Sequence, residues 1–364
     1  MQKQFQVLLA AALFVLFLCE RPMACTTFVF KDDSGNLIFG KNLDYSAGSA
    51  HVTVNKRNVS KTSRIASPEV ATSWTSKFGS VTFDMLGKEF AQGGMNEAGL
   101  VIESLLVPQG KYAEKDDRPG LIMQQWVQYH MDNSATVADV VASDAAVRMS
   151  FLYPRVVHFL VADRLGNVAV IEFIDGKMRH YTGKDLPFPV LTNSPYEASA
   201  AFARDNPGEA KAPFDGNPFE NSLPRFARAN KMVRDWKGSG DPVAYAYSIL
   251  TDTRLDGDKW GSRWSIVYDI KNMMIHYKTA TNQNTRTVDM KVFDYACDSE
   301  ALFIDIESPV KGKADFSVYS TQANKDLIEK SFNSIPGLRD IASAERDARA
   351  AYPDSVRCAG KPTQ

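Results

Sequence analysis

The chain has 364 residues, 44% of them apolar, enough to bury one large core or two ordinary ones. Its 42 Lys and Arg stand against 43 Asp and Glu, and the formal net charge of −1 leaves no basic field to gather phosphates, so nucleic acid is not an expected partner. The five histidines (His51, His130, His158, His180 and His276) are scattered, with no HExxH and no paired CxxC, so no metal is expected; without G-x-S-x-G, G-x-G-x-x-G or a P-loop, neither a nucleotide nor another cofactor is expected.

At the start, Lys3 precedes an uncharged, mostly apolar run from Phe5 to Cys19, followed by Glu20-Arg21-Pro22-Met23-Ala24. That is the layout of a signal peptide. The run falls short of the roughly 20 residues that a membrane-crossing helix needs. Residues 1–24 are therefore expected to be a leader and not a stable anchor, and the protein to be exported, to a periplasm or out of the cell. A rival is acylation of Cys25 as in a lipoprotein, although Pro22-Met23-Ala24 lacks the aliphatic residue usual three places before such a cysteine.

Of the four cysteines, Cys19 would leave with the leader. In an oxidising compartment Cys297 and Cys358 can pair, which leaves Cys25 as the odd thiol; two small buried hydrophobes is the alternative reading.

In chain order, Cys25 to Phe30 has strand composition, Asp32 to Asn36 supplies turn residues, and Leu37 to Lys41 resumes an apolar strand. The hairpin this predicts, with Lys31 opposite Leu37, sets Cys25 opposite Leu43 and brings Lys41, Asn42 and Asp44 beside the new terminus. Strands are predicted at His51–Val54, Ser80–Phe83 and Leu100–Ile102, the last after an Asn96–Gly99 turn. Helical spacing covers Leu121–Met131 and Val137–Val147, the second with Ser134 as cap. A meander follows through Val156–Val161, Val168–Ile174, Met178–Tyr181 and Val190–Asn193. Pro207–Leu223 reads as a long surface loop. Arg225–Trp236 and Pro242–Leu250 read as helices, Trp264–Tyr268 and Met274–Tyr277 as a last hairpin, and helices close the chain from about 323. Strands and helices without strict alternation predict an α+β layered fold and, with no linker or repeat, a single domain over residues 25–364.

A residue that becomes N-terminal brings its own base, since an α-amino group titrates near pH ~8. Cys25 would then need no histidine: its amine can take the thiol proton and return it to a departing amine.

Cys25-Thr26-Thr27 followed by Phe39-Gly40-Lys41-Asn42-Leu43-Asp44-Tyr45, then Met95-Asn96-Glu97-Ala98-Gly99-Leu100, Leu191-Thr192-Asn193-Ser194-Pro195 and Pro224-Arg225-Phe226 resembles the choloylglycine hydrolase family, the N-terminal nucleophile enzymes that include bile salt hydrolases and penicillin V acylases. The resemblance implies a four-layer αββα sandwich of two antiparallel sheets between helix layers. It implies Cys25 as nucleophile, Asp44 as the holder of the α-amino group, Asn193 as side-chain donor to the oxyanion, and Arg225 beside Cys25 and Asp44. Lys41 and Asn96 are further candidates. Two positions depart from the family: Lys41 stands where those enzymes usually have Arg, and Leu106, ten residues beyond Asn96, where they tend to carry Asn or Tyr. Trp74, Trp126, Trp260 and Trp264 are candidates to line an apolar acyl pocket. Beside these roles stand plainer ones: a turn cap for Asp44, turns for Asn193 and Asn96, a helix-surface pair for Arg225, and core packing for most of the tryptophans.

The expected reaction is hydrolysis of a non-peptide linear amide through an acyl thioester, on a small N-acyl conjugate such as a conjugated bile salt, penicillin V or an N-acyl amino compound. The alternatives are an acyltransferase using the same thioester and a non-catalytic exported lipoprotein or binding protein. A homo-oligomer is compatible with the resemblance.

Overall fold

The computed structural model describes residues 24–65, 67–150, 155–208, 214, 217, 219–257 and 261–360. The leader predicted up to Ala24 lies outside the described residues except for Ala24 itself, as do Trp260 and part of the Pro207–Leu223 loop.

Two antiparallel sheets form the centre. The first runs, edge to edge, Val190–Leu191, β1 (Ala24–Lys31), β2 (Leu37–Asp44), Ser262–Asp269, Met274–Thr279 and Arg286–Asp289. The second runs Lys177–Thr182, Val168–Ile174, Val157–Ala162, Val101–Leu106, Gly93–Asn96, Ser80–Asp84, His51–Asn55, Leu302–Asp305 and Ser317–Val318. β1 packs across the gap on the Val101–Leu106 and Val157–Ala162 strands. Helices Ser222–Asp235 and Pro242–Asp252 cover β1 and β2, while Met123–Asn133 and Val137–Ala142 cover the second sheet. The result is the αββα layering: each sheet buries one face on the other sheet and one on helices, which is why every residue of β2 is buried.

The β1–β2 hairpin has the expected register, Lys31 opposite Leu37 and Cys25 opposite Leu43. Asp32 closes its turn by accepting the amides of Ser34 and Asn36, both at 2.9 Å, and Gly35 takes the left-handed φ of 76° that the turn requires. Within the pair, a Cβ at Gly40 would lie 2.2 Å from the ring of Phe28 directly opposite, so only glycine lets that ring lie across the strand.

Three sequence expectations are corrected. Thr136, not Ser134, caps the Val137–Ala142 helix: its hydroxyl accepts the Asp139 amide while the Asp139 carboxylate accepts the Thr136 amide. That reciprocal box needs a carboxylate three places on, where Ser134 has Val137; Ser134 bonds His130 instead. The helix also gives way to a 3-10 turn at Ser143–Ala145 instead of running to Val147, and Ser143 turns its hydroxyl back onto Val140 O. Nor is Trp264–Tyr277 the last of the strands: Arg286–Asp289 extends the first sheet and Leu302–Asp305 with Ser317–Val318 the second. These segments are only two to four residues long, too short for a periodic pattern to show.

The chain closes with helices Thr321–Ser334 and Ser343–Ala351. They are held to the body by Arg64, whose guanidinium grips both Glu345 oxygens at 2.9 Å, by Tyr352 Oη donating to Thr62 O at 2.8 Å, and by Arg349 lying 4.1 Å over the Phe90 ring. Cys297 and Cys358 form a disulfide, and the Arg357–Cys358 strand pairs with Val59–Ser60.

Burial pushes the Asp84 carboxyl up to about 7, against the pull of the Thr53 and Thr82 hydroxyls and of Lys88. The folded chain therefore keeps a proton that the unfolded chain loses near pH ~4, so this group costs the fold stability progressively as pH rises from ~4 to ~7. Asp84→Asn is expected to flatten that part of the stability curve, with a gain of up to ~4 kcal/mol at pH 8 that vanishes at pH 4 in urea titrations. A pH-independent difference would show that Asp84 does not titrate in that window.

Candidate active site

Strand pairing decides which side chains meet. Residues opposite one another share a face, and neighbours alternate. Cys25 and Thr27 therefore lie on one face of the hairpin with Leu43 and Lys41, and Thr26 on the other with Asn42. The first face looks onto the second sheet, since Lys41 Nζ donates to Ser104 O at 2.6 Å and lies 3.7 Å from Glu103 Oε2. The other looks onto helices, since Asn42 Nδ2 donates to Leu250 O at 2.7 Å and Arg225 Nη1 to Thr26 Oγ1 at 2.7 Å.

Cys25 is fully buried at the head of β1. Its nitrogen donates to Asn193 Oδ1 at 2.9 Å. Burial pushes its thiol up; the Lys41 ammonium pulls the other way, by charge and by a hydrogen bond to the sulfur, and the Asp44 amide also donates to it. The negative charge of Asp44 adds to the upward push.

Asp44, also fully buried, accepts the Ser262 hydroxyl on Oδ1 and faces Arg225 Nη1 at 3.8 Å from Oδ2. Burial raises its carboxyl to about 6, with Arg225 the chief opposing influence. Arg225, buried as well, donates from Nη1 to Cys25 O at 2.7 Å, from Nη2 to Asn193 Oδ1 at 2.9 Å and from Nε to Asn221 Oδ1 at 2.7 Å. Asn193 is fixed at both ends, because its Nδ2 donates to Leu106 O at 2.9 Å and its own amide donates to Ser222 Oγ at 2.9 Å.

Cys25, Asp44, Asn193, Arg225 and Lys41 thus come together, with one difference in detail. The Cys25 nitrogen bonds the Asn193 oxygen, where the resemblance assigned Asp44 to hold it. Asn96 is elsewhere: its oxygen accepts the Ala98 and Leu100 amides and its nitrogen donates to Met131 O and Ser134 O, so its bonding capacity is used in shaping the turn and fastening it to the neighbouring helix. Trp126 stacks on Phe159 in the core, Trp74 donates to Asp132 and Trp264 to Gly48 O.

Several supports carry no sequence signal of their own. Glu103, buried behind Lys41, accepts the Tyr268 hydroxyl at 2.5 Å, and its carboxylate fills the space over Gly93 that a Cβ would occupy. His158 spans Glu172 (Nδ1, 2.8 Å) and the carbonyl of Thr192 (Nε2, 2.6 Å), fixing the backbone one residue before Asn193. The carbonyl of Leu106 holds Asn193 whatever side chain position 106 bears. These links join residues far apart in the chain, and only the register of the sheets brings them together.

Beside this cluster lies a cavity of about 160 Å³, lined by Tyr45, Leu106, Arg155 and apolar side chains. Tyr45 follows Asp44 directly and accepts a hydrogen bond from Arg155 at 3.1 Å. Among the described residues no group of three or more His, Cys, Asp or Glu is placed to hold a metal ion, and no helix is long and apolar enough to cross a membrane.

The sequence and the fold are both similar to those of known proteins. Residues 25–204 match the family described as linear amide C–N hydrolases, choloylglycine hydrolase family. The chain is 26% identical to a penicillin V acylase of Pectobacterium atrosepticum, over 83% of this chain and 89% of that protein. Its fold is similar to that of penicillin V acylase from Agrobacterium tumefaciens, with a TM-score of 0.69, 23% identity and coverage of 81% of this chain and 98% of the other. It is also similar to a mutant of the conjugated bile acid hydrolase from Clostridium perfringens, with a TM-score of 0.61, 16% identity and coverage of 81% and 99%. The sandwich is that of the N-terminal nucleophile hydrolases, and the chain belongs to the choloylglycine hydrolase family, hydrolases of carbon–nitrogen bonds other than peptide bonds in linear amides.

Proposed function

We propose that this is an exported amidohydrolase whose nucleophile is Cys25, made N-terminal by removal of residues 1–24, and that its substrate is a small N-acyl conjugate. The observation that carries the reading is the Cys25 nitrogen held at 2.9 Å by Asn193 beside a buried thiol that Lys41 and the Asp44 amide contact. A thiol pushed up by burial is a poor nucleophile until a base takes its proton. Three of the five histidines are bonded elsewhere: His158 to Glu172 and Thr192 O, His130 to Ser134, and His276 to Thr287. A free α-amine on Cys25 would supply that base from within the same residue.

In the proposed cycle the α-amine takes the thiol proton and the thiolate attacks the amide carbon, assisted by the Lys41 charge. Asn193 Nδ2 donates to the oxyanion, while its Oδ1 keeps the amine in place. The C–N bond breaks as the α-ammonium returns the proton to the leaving amine, which leaves an acyl thioester. Water then attacks the thioester, giving its proton to the α-amine, and the acid departs as the thiol re-forms. Asp44, with Arg225 beside it, balances the positive charge that forms on the amine.

The relatives' names include penicillin V and conjugated bile acid as substrates, and both are N-acyl conjugates. Lys41 keeps the charge of the family's usual Arg but not its planar fork, and Leu106 offers no polar side chain to a substrate. Leu106, in the cavity wall, supports a substrate whose acyl part is apolar.

Intact-mass and N-terminal analysis of the purified protein is expected to show a chain beginning at Cys25 with a free amine. Cys25→Ala is expected to fold and to lose on the order of a thousandfold or more in turnover. A blocked Cys25 amine, an active protein beginning elsewhere, or retained activity in the variant would each overturn the mechanism. Added amine acceptors are expected to leave the acid as the main product; dominant acyl transfer to them would assign an acyltransferase.

Arg225→Lys keeps the charge but cannot reach Cys25 O, Thr26 and Asn193 from one plane, and is expected to lower kcat/KM by about 10–100-fold. A rate within about twofold of the original would show that the fork does not position the site.

A further inference from the structure

We infer that the C-terminal helical segment is the specificity element of this enzyme: Phe332, Ile335 and Leu338 bound the cavity that takes the acyl group, and so limit the length of acyl chain accepted. The inference rests on the acyl-thioester reading above and adds to it the class of acyl group and the residues that measure it.

Two links set the cavity next to the reaction centre. Tyr45, in its wall, follows Asp44 directly in the chain. Leu106, also in its wall, holds Asn193 through its carbonyl. The rest of the wall is mainly apolar, with Ile122 and Val157 from the body of the protein and Phe332, Ile335 and Leu338 from the closing segment. Phe332 and Ile335 are 1% and 2% exposed, so they are packed in place. This part of the wall lies beyond residues 25–204, which match the family. The segment cannot swing freely from the site, because Arg64–Glu345, Tyr352–Thr62 and the Cys297–Cys358 disulfide fasten its second helix and the chain end.

A mainly apolar cleft suits the acyl half of the amide and not the amine half. The acyl group stays on sulfur while the amine leaves and water enters, so a pocket that keeps it obstructs neither exchange. The departing amine gains a proton, and an apolar wall would hold it poorly. The volume of about 160 Å³ is close to the ~150 Å³ of a cavity known to accept one benzene ring. A single aromatic ring or an alkyl chain of similar volume fills a space of that size.

The test is kcat/KM of the processed enzyme on straight-chain acyl p-nitroanilides, acetyl through dodecanoyl, with phenylacetyl alongside. Each methylene buried should raise kcat/KM about fourfold until the wall is met, after which the rate should fall. Leu338→Ala and Phe332→Ala are expected to move the optimum to longer chains, and Leu338→Trp to shorter ones. Should Phe332→Ala fail to fold, the two substitutions of partly buried Leu338 carry the comparison. Turnover with the same length profile in wild type and in the folded variants overturns this inference alone. A wild-type enzyme that hydrolyses none of the series, and whose Cys25 is not acylated by any member, overturns the amidohydrolase reading and this inference with it.

Discussion

A single buried cation ties this site together. The Arg225 guanidinium reaches Cys25 O, Thr26 Oγ1, Asn193 Oδ1 and Asn221 Oδ1 and lies against Asp44, all in a part of the molecule closed to solvent. Such burial is tolerable only because planar donors meet acceptors in fixed directions and a carboxylate stands near enough to offset the charge. The same bonds set the distance between the first strand, the loop carrying Asn193 and the helix Ser222–Asp235. Any displacement of one of these three elements would strand a charge, so the geometry around the sulfur is held by electrostatic necessity as well as by packing.

A second charge, Lys41, works from the opposite face of the same hairpin. It is held by Ser104 O and Glu103 from the facing sheet, and Glu103 is in turn bonded by Tyr268. The hairpin thus carries a cation on each side: one secures the backbone and the amine position, the other tempers the sulfur. Burial raises the thiol and Lys41 opposes it, so two opposed influences meet at the sulfur.

Much of this is legible in the amino-acid order. The Asp32–Asn36 turn between two apolar runs fixes the hairpin register, and register alone predicts that Lys41 and Asp44 approach Cys25. Helical spacing finds Met123–Asn133, Ser222–Asp235 and Pro242–Asp252 to within a few residues. What stays hidden depends on long-range pairing. No local pattern shows that His158 braces the strand before Asn193, that Ser262 caps Asp44, or that Glu103 backs Lys41. Asn96, although it sits in a motif of the family, spends its bonds on a turn. The short strands near residues 286, 302 and 317 are set by the neighbours they join, not by their own composition.

β1 has a strand on each side, Leu37–Asp44 along its whole length and Val190–Leu191 at Thr27 and Phe28. The peptide unit entering Cys25 is consequently anchored before any cut is made. Under the proposed cut at Cys25 the pairing from Cys25 onward would stay intact, and the new amine would arise where this nitrogen already donates to Asn193.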